Sequence, residues 1–149
     1  MIAVLRTTSN HEDFQKMVVQ LDAYLQVVDG DDHEFYSQFN KSNLLKNAIV
    51  AYENNLPVGI GAYKEIDTKT IEIKRMFTLP EHRGKGIAKA ILAALENWAL
   101  EENYSIALLE TGVTMKNAIH LYQKMEYKIT DNYGQYIGVE NSICMKKEL

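Results

Sequence analysis

Apolar positions at the start of the chain predict a strand and then a helix. The run from Ile2 to Arg6 is short and apolar, which predicts a strand. Ser9-x-x-Glu12 follows with the spacing of a capping box, which marks the start of a helix. Asp29-Gly30-Asp31-Asp32 predicts the end of that helix. Its apolar face recurs at every third or fourth position, at Phe14, Met17, Val18, Leu21, Leu25 and Val28.

The next segment, from His33 to Lys46, predicts a second short helix followed by a loop. Its aromatic side chains are Phe35, Tyr36 and Phe39. Packing against the rest of the domain is the simpler interpretation of these rings, and contact with a substrate is the alternative.

Three strands joined by short links follow. Residues Ala48 to Tyr52 and Val58 to Tyr63 flank a turn at Glu53-Asn54-Asn55-Leu56-Pro57, which is a hairpin pattern. Thr70 to Thr78 is rich in β-branched and aromatic residues, and Pro80 closes it because proline cannot continue a central ladder. Such short links predict an antiparallel meander.

Helices and strands alternate in the second half of the chain. The strand from Ser105 to Thr111 follows a long helix, and a helical crossover predicts that this strand lies parallel to Thr70 to Thr78. Lys116 to Lys124 predicts another helix, and Ser142 to Lys147 predicts a strand that closes the sheet. The long helix has its apolar positions at Ile87, Ile91, Leu92, Leu95, Trp98 and Ala99.

Composition limits the class of protein. With 149 residues, 46% of them hydrophobic, the chain suits one globular domain, residues 1–149, with its own core. A formal net charge of −4 and a pI near 5.6 argue against nucleic acid as a partner, because phosphate binding needs a basic face. The lone cysteine, Cys144, excludes an internal disulfide and lies in an apolar run, which indicates a packed thiol.

Membrane and metal partners are not expected either. No apolar stretch approaches the roughly 20 residues of a membrane span, and the N-terminus has no signal-peptide pattern, so we expect a cytoplasmic protein. The histidines are scattered without ligand spacing, which predicts no metal site.

The segment Arg83-Gly84-Lys85-Gly86-Ile87-Ala88 lies where the β-rich part of the chain stops and the long helix starts. Two glycines at the first turn of a helix leave backbone N–H groups uncovered, so a phosphate can approach them closely. The helix dipole adds positive potential there, and Arg83 and Lys85 strengthen it. The segment lacks the Lys-Ser/Thr ending of a P-loop, which argues against a general nucleotide site.

The spacing Arg83-x-x-Gly86-x-Ala88 resembles the Gln/Arg-x-x-Gly-x-Gly/Ala signature of the GNAT superfamily of acyl-CoA-dependent N-acetyltransferases. The likeness covers most of the chain and is strongest from Glu72 to Tyr127. Three further pieces resemble the family in the same order: Met76-Phe77-Thr78 with Pro80, the strand end Leu109-Glu110, and the run from Ala118 to Tyr127.

This resemblance implies both a fold and a reaction. The fold is α+β (mixed α/β), with a mostly antiparallel twisted sheet of about six to seven strands, about four helices and splayed central strands. The reaction transfers the acetyl group of acetyl-CoA to a primary amine by direct attack in a ternary complex. A small-molecule acceptor is our first expectation, and a homodimer is a further one. The alternatives are a protein N-terminus or lysine as acceptor, or a non-catalytic acyl-CoA sensor.

The resemblance also implies where acetyl-CoA binds. In the family, the pantetheine arm pairs with exposed strand backbone as an added strand would, and the glycine loop holds the pyrophosphate. The positions that match are Met76, Phe77, Thr78, Arg83, Gly84, Lys85, Gly86, Ile87, Ala88, Lys89 and, at the next helix, Asn117.

Three residues match catalytic positions of the family. Tyr122 matches the tyrosine that protonates the leaving thiolate, and the alternative is a helix residue whose ring fills the core. Glu72 matches the general base of histone-acetylating members, and Glu110 matches that of ribosomal-protein-acetylating members. Either carboxylate could instead be a structural ion-pair partner, with a water chain removing the proton.

Two positions depart from the family pattern. Many members have Asn seven residues before the catalytic tyrosine, where this chain has Met115, and Asn117 either substitutes for it or only starts the helix. Glu126 replaces the glycine that usually precedes the final aromatic residue, which costs little if its backbone avoids positive φ.

Overall fold

Seven strands and three α-helices make up the part of the chain that the computed structural model describes, residues 1–30 and 44–149. The strands form one mixed sheet in the order β1-β2-β3-β4-β5-β7-β6, which confirms the predicted α+β class. The elements are β1 Ile2–Thr7, α1 Glu12–Asp29, β2 Asn47–Glu53, β3 Leu56–Asp67, β4 Thr70–Thr78, α2 Ile87–Glu101, β5 Ile106–Gly112, α3 Lys116–Lys124, β6 Lys128–Thr130 and β7 Ser142–Glu148.

The predicted short helix between His33 and Lys46, with Phe35, Tyr36 and Phe39, lies almost wholly outside the described residues. No helix within residues 1–30 and 44–149 is long and apolar enough to cross a bilayer.

The chain divides into two compact units. The N-terminal unit comprises Met1–Lys64 and Lys74–Leu95, and the C-terminal unit comprises Glu65–Ile73 and Glu96–Leu149. The boundaries therefore fall inside β3, β4 and α2.

The hairpin between β2 and β3 is tighter than the sequence suggests. Its loop has only two residues, Asn54 and Asn55, with φ of 52° and 65°. Two consecutive positive φ angles are typical of a type I′ turn, whose twist suits a hairpin. Leu56 and Pro57 consequently belong to β3, and Pro57 is paired next to a register shift, where the ladder is irregular.

Helix α1 forms the core of the N-terminal unit, but it does not begin with the predicted capping box. His11 is the N-cap, and its Nδ1 accepts a hydrogen bond from Asp13 N at 3.1 Å. Ser9 instead pairs with Leu45: its Oγ accepts from Leu45 N at 2.8 Å, and its N–H donates to Leu45 O at 2.9 Å. This long-range pairing occupies the hydroxyl that the capping box needs.

The apolar face of α1 packs on the sheet as predicted. The buried side chains of this cluster are Phe14, Met17, Leu21, Ala48, Val50, Ile60, Ala62 and Phe77. Burial of large apolar side chains contributes roughly 1.5–3 kcal/mol each, so this face contributes much of what holds the helix on β2, β3 and the end of β4.

Strand β4 is irregular at Arg75, which has a positive φ of 59°. The Arg75 side chain is 4% exposed, and its Nη1 lies 3.0 Å from Oδ1 of Asp22 on α1. A buried guanidinium needs such a partner, because an unpaired charge in the interior is costly. The ion pair therefore ties the irregular point of β4 to α1.

Strands β4 and β5 are parallel, as the crossover predicts. Within the described chain their ladder pairs Thr70–Glu72 with Ile106–Leu108 and stops there. Strand β5 also pairs along its whole length with β7, from Ile106 with Glu148 to Gly112 with Ser142. Cys144 of β7 is fully buried, which confirms its prediction as a packed thiol.

Candidate active site

The glycine loop before α2 has the backbone that an anion site needs. Gly84 and Gly86 have φ of +80° and +81°, and among the described atoms none lies within 4 Å of where a Cβ on either would stand. Gly86 O accepts from Ala90 N at 3.0 Å, so Gly86 caps the helix. The N–H groups of the first turn of an α-helix have no acceptor inside the helix, which makes this end of α2 a candidate anion site.

Charged side chains surround this loop. Lys85 Nζ lies 3.2 Å from Glu53 Oε1, and His82 Nδ1 lies 3.2 Å from the same oxygen. The hydrogen bond from Lys85 holds the pKa of Glu53 below its ordinary value. Lys89 is exposed, whereas Ile87 is buried, so Ile87 offers only its backbone to a ligand.

Arg83 fixes the loop to the end of β4. Its Nε donates to Thr78 O at 3.1 Å. Its guanidinium carbon lies 5.3 Å from the ring centroid of Tyr24 and 5.9 Å from that of Phe77, within the range of cation–π attraction. The Arg83 side chain thus has protein partners that orient the loop. An anion at this loop would therefore be bound by backbone N–H groups.

The three residues expected to meet the pantetheine arm have side chains directed into the N-terminal unit. Phe77 belongs to the apolar cluster under α1. Met76 Sδ would lie 2.6 Å from a Cβ added to Gly61, so only glycine leaves room for it there. Any contact of Met76, Phe77 and Thr78 with a cofactor would therefore use their backbone.

The three predicted catalytic residues all lie in the C-terminal unit. Glu72 is 2% exposed, and its Oε2 accepts a hydrogen bond from Tyr133 Oη at 2.6 Å. Burial, followed by the charge of Glu72, raises the pKa of Tyr133 well above its ordinary value. Glu72 is thus a buried carboxylate oriented by a tyrosine.

Glu110 is half-buried on β5, opposite Cys144 of β7. Tyr122 is 7% exposed on α3. Burial raises the pKa of Tyr122 above its ordinary value, and the charge of Glu110 adds to the effect. Burial and the same charge also raise the pKa of Tyr136. Glu110 therefore favours the protonated form of Tyr122, as a proton donor requires.

Tyr122 is held by the way α3 ends. Tyr127 N donates to Tyr122 O at 2.9 Å, and Glu126 N donates to Gln123 O at 3.0 Å, which together make a Schellman motif. The rings of Tyr122 and Tyr127 pack edge to face with centroids 6.0 Å apart. The hydroxyl of Tyr127 in turn donates to Glu96 Oε2 at 2.8 Å.

Glu126 has a positive φ, so replacing the family's glycine by glutamate costs stability here. Its φ is 74°, because it occupies the position of the Schellman motif that turns left-handed. A residue with a Cβ is strained in that conformation, and Glu126 is exposed with no burial to offset the strain. The Schellman turn is therefore present, although Glu126 stands where the family usually has glycine.

Asn117 is the second residue of α3 and is exposed. The N-cap of α3 is Met115, which makes no side-chain capping hydrogen bond. Asn117 therefore does not cap the helix, and its contact with a cofactor stays a prediction.

Sequence reasoning missed how Tyr133 and Asn132 act on the site. Tyr133 is separated by 61 positions from the carboxylate that it contacts, and no local pattern links them. Asn132 Nδ2 lies 3.0, 3.1 and 3.2 Å from the carbonyl oxygens of Tyr136, Val139 and Ser142. Asn residues in turns often form hydrogen bonds between their side chain and the backbone, so Asn132 could have been singled out from the sequence.

Among the residues that the structure describes, no group of three or more His, Cys, Asp or Glu side chains is placed to hold a metal ion.

A family model described as Acetyltransferase (GNAT) family matches residues 14–127. The match spans well over half of the chain. This chain belongs to the GNAT family of acetyltransferases. The predicted family and enzyme class are thereby confirmed.

Full-length relatives agree with the family. The IAA acetyltransferase of Azospirillum brasilense is 32% identical over 99% of this GNAT chain and 98% of its own. A putative acyl-CoA N-acyltransferase from Klebsiella pneumoniae has a similar structure, with a TM-score of 0.83, 26% identity, and coverage of 100% of this chain and 98% of that one. A GNAT acetyltransferase from Elizabethkingia anophelis with acetyl-CoA bound shares the fold, with a TM-score of 0.71, 20% identity, and coverage of 99% and 98%.

Replacing Glu126 by glycine is expected to stabilise the protein. Relief of the left-handed strain, roughly 1–2 kcal/mol, exceeds the added entropy of a glycine in the unfolded chain, so a net gain of about 0.5–1 kcal/mol and a Tm rise of about 2 °C should follow. Thermal unfolding measures it. Glu140→Gly is the matched control, because Glu140 is not among the described residues with positive φ, and it should lower the Tm. A fall in Tm for Glu126→Gly would contradict the strain.

Proposed function

We propose that this GNAT enzyme transfers the acetyl group of acetyl-CoA to a primary amine of a small molecule by direct attack. The observation that carries the proposal is the arrangement in the C-terminal unit, where a buried, oriented carboxylate and a buried, protonated tyrosine occur together. Amine acetylation needs both kinds of group, one to accept a proton and one to donate it. The full-length match to a relative named as an acetyltransferase supports the same reaction.

The glycine loop suits the anionic part of acetyl-CoA. Free first-turn amides of α2, open space over Gly84 and Gly86, and the cations of Lys85 and Lys89 favour a pyrophosphate. We assign Ala88 and Ile87 to this role through their backbone, and Met76, Phe77 and Thr78 to backbone pairing with the rest of the donor. Acetyl-CoA itself supplies an acetyl group activated as a thioester.

Proton transfer is divided between two side chains. Glu72 accepts the proton that the amine loses as its nitrogen forms the new bond to the acetyl carbon. The bond from that carbon to sulfur breaks, and the Tyr122 hydroxyl gives its proton to the departing thiolate. Both transfers conserve charge within the C-terminal unit, because one carboxylate gains a proton and one phenol loses one.

Glu72 is the better base of the two carboxylates. It is almost fully buried, and the hydrogen bond from the Tyr133 hydroxyl holds its carboxylate in one orientation, as a base that must face one acceptor requires. Glu110 is half-buried, and its charge adds to the effect of burial in raising the pKa of Tyr122. Glu110 as the base is the alternative assignment.

The acceptor class is tested by supplying acetyl-CoA with panels of small amines, peptides with free N-termini, and lysine peptides. Thiol release together with mass detection of the acetylated product identifies the acceptor. Turnover with small amines supports the proposal, turnover restricted to peptides contradicts the small-molecule acceptor, and binding of acetyl-CoA without turnover of any panel contradicts catalysis.

Gly86→Ala should weaken acetyl-CoA binding at least about tenfold, because a Cβ opposes the left-handed backbone at φ +81° and would displace the proposed anion-binding loop. Titration calorimetry measures the Kd. Gly138→Ala is the matched control, since Gly138 also has φ +80° with nothing within 4 Å among the described atoms but lies in another loop. Both variants should lose similar stability. Equal Kd values for the two would contradict the assignment of the loop.

Tyr122→Phe should lower kcat by roughly 10- to 1000-fold and leave the Kd for acetyl-CoA nearly unchanged, because only the proton donor is removed. The wild-type hydroxyl should keep its proton past pH 10, its ordinary pKa, since burial and Glu110 raise that pKa. Steady-state thiol release measures kcat. Tyr127→Phe, which removes a neighbouring hydroxyl, should cost stability but change kcat less than about twofold. An unchanged kcat for Tyr122→Phe would exclude its role as donor.

A further inference from the structure

Tyr133 makes a short hydrogen bond to the buried carboxylate of Glu72. The distance between Tyr133 Oη and Glu72 Oε2 is 2.6 Å, in the range of charge-assisted O–H···O⁻ bonds, which are about twice as strong as neutral ones. Glu72 is 2% exposed, so water offers its carboxylate little compensation. A donor aimed at such a group changes both its orientation and its affinity for protons.

The segment that carries Tyr133 is built to hold it in place. Asn132 joins three carbonyl oxygens of the segment through its Nδ2, and residues Gly134–Tyr136 form a short 3-10 turn. The rings of Tyr133 and Tyr136 pack edge to face, with centroids 5.8 Å apart and an interplanar angle of 84°. Backbone and ring therefore both restrict where the Tyr133 hydroxyl lies.

The surroundings of Glu72 make this hydroxyl important. Its register partner on β5 is Leu108, an apolar residue. The titratable groups coupled to the same region are Tyr133, Tyr136 and Cys144 of the final segment and Glu110 of β5. The charge of Glu110 adds to the effect of burial in raising the pKa of Tyr136 and Cys144, whereas the Tyr133 hydroxyl donates directly to Glu72.

We propose that Tyr133 is a positioning residue for the general base: its hydroxyl fixes the Glu72 carboxylate and sets the pH at which that carboxylate can accept a proton. This inference rests on the proposed function. Tyr133 itself need not touch substrate, and its effect on the reaction passes through Glu72.

Tyr133→Phe keeps the ring and removes only the hydroxyl. Because the lost hydrogen bond favoured the charged carboxylate, the pKa of Glu72 should rise, and the acidic limb of kcat/KM should move to higher pH by about one unit. Activity at the high-pH plateau should fall much less than activity on the acidic limb. Glu72→Gln should remove most of the activity at every pH. A limb that stays in place in Tyr133→Phe would overturn the inference.

Tyr104→Phe is the matched control, because Tyr104 Oη donates to Glu65 Oε1 at 2.9 Å in the same unit, at an exposed site. It removes the same type of bond and should leave the acidic limb unchanged. A limb that moves equally in both variants would show a general effect of lost tyrosine hydroxyls, which contradicts a specific role for Tyr133.

A second readout does not depend on activity. Carbon-13 NMR titration of the Glu72 carboxyl, assigned by its loss in Glu72→Gln, should show a midpoint about one pH unit higher in Tyr133→Phe. An unchanged midpoint overturns the inference even in an active enzyme. If the wild type acetylates no amine, the proposed function fails while this titration still decides whether Tyr133 controls Glu72. A midpoint that moves while the acidic limb does not would show that Glu72 is not the base.

Discussion

A carboxylate buried in a protein must be compensated, and the C-terminal unit is arranged around the compensation of Glu72. Glu72 is 2% exposed, and the short hydrogen bond from the Tyr133 hydroxyl replaces hydration that the carboxylate loses on burial. The bond requires the segment after β6 to be fixed, which Asn132 accomplishes through three carbonyls. Burial, with an added effect of the charge of Glu110, raises the pKa of the Tyr122 hydroxyl. Acid and base functions thus follow from two different environments in one unit.

Locally encoded elements were predictable from the sequence. The bounds of β4 and α3 agree with the predicted Thr70 to Thr78 and Lys116 to Lys124. Each segment has a residue pattern typical of its element and is flanked by residues that end it. Prediction failed at Ser9, whose hydroxyl is taken by a residue 36 positions away. A capping box is a local rule, and a long-range backbone pair overrode it.

The candidate site was predictable only where a family motif or a helix terminus encodes it. Tyr122 and Gly86 lie at positions that the family resemblance picks out, and their roles stay predictions. The contact of Tyr133 with Glu72 depends on how distant segments meet, so no spacing rule could supply it. Glu126 shows the converse, since the turn is kept although the glycine that normally signals it is absent.

Thermal unfolding with and without acetyl-CoA, with ATP as the phosphate-bearing control, tests the central claim most directly. At about a hundredfold excess over Kd, binding adds about 2.7 kcal/mol, which raises the Tm of a protein of this size by several degrees. We predict this rise with acetyl-CoA and none with ATP. No rise with acetyl-CoA up to about a millimolar, or an equal rise with ATP, would contradict an acetyl-CoA site and the acetyl transfer that depends on it.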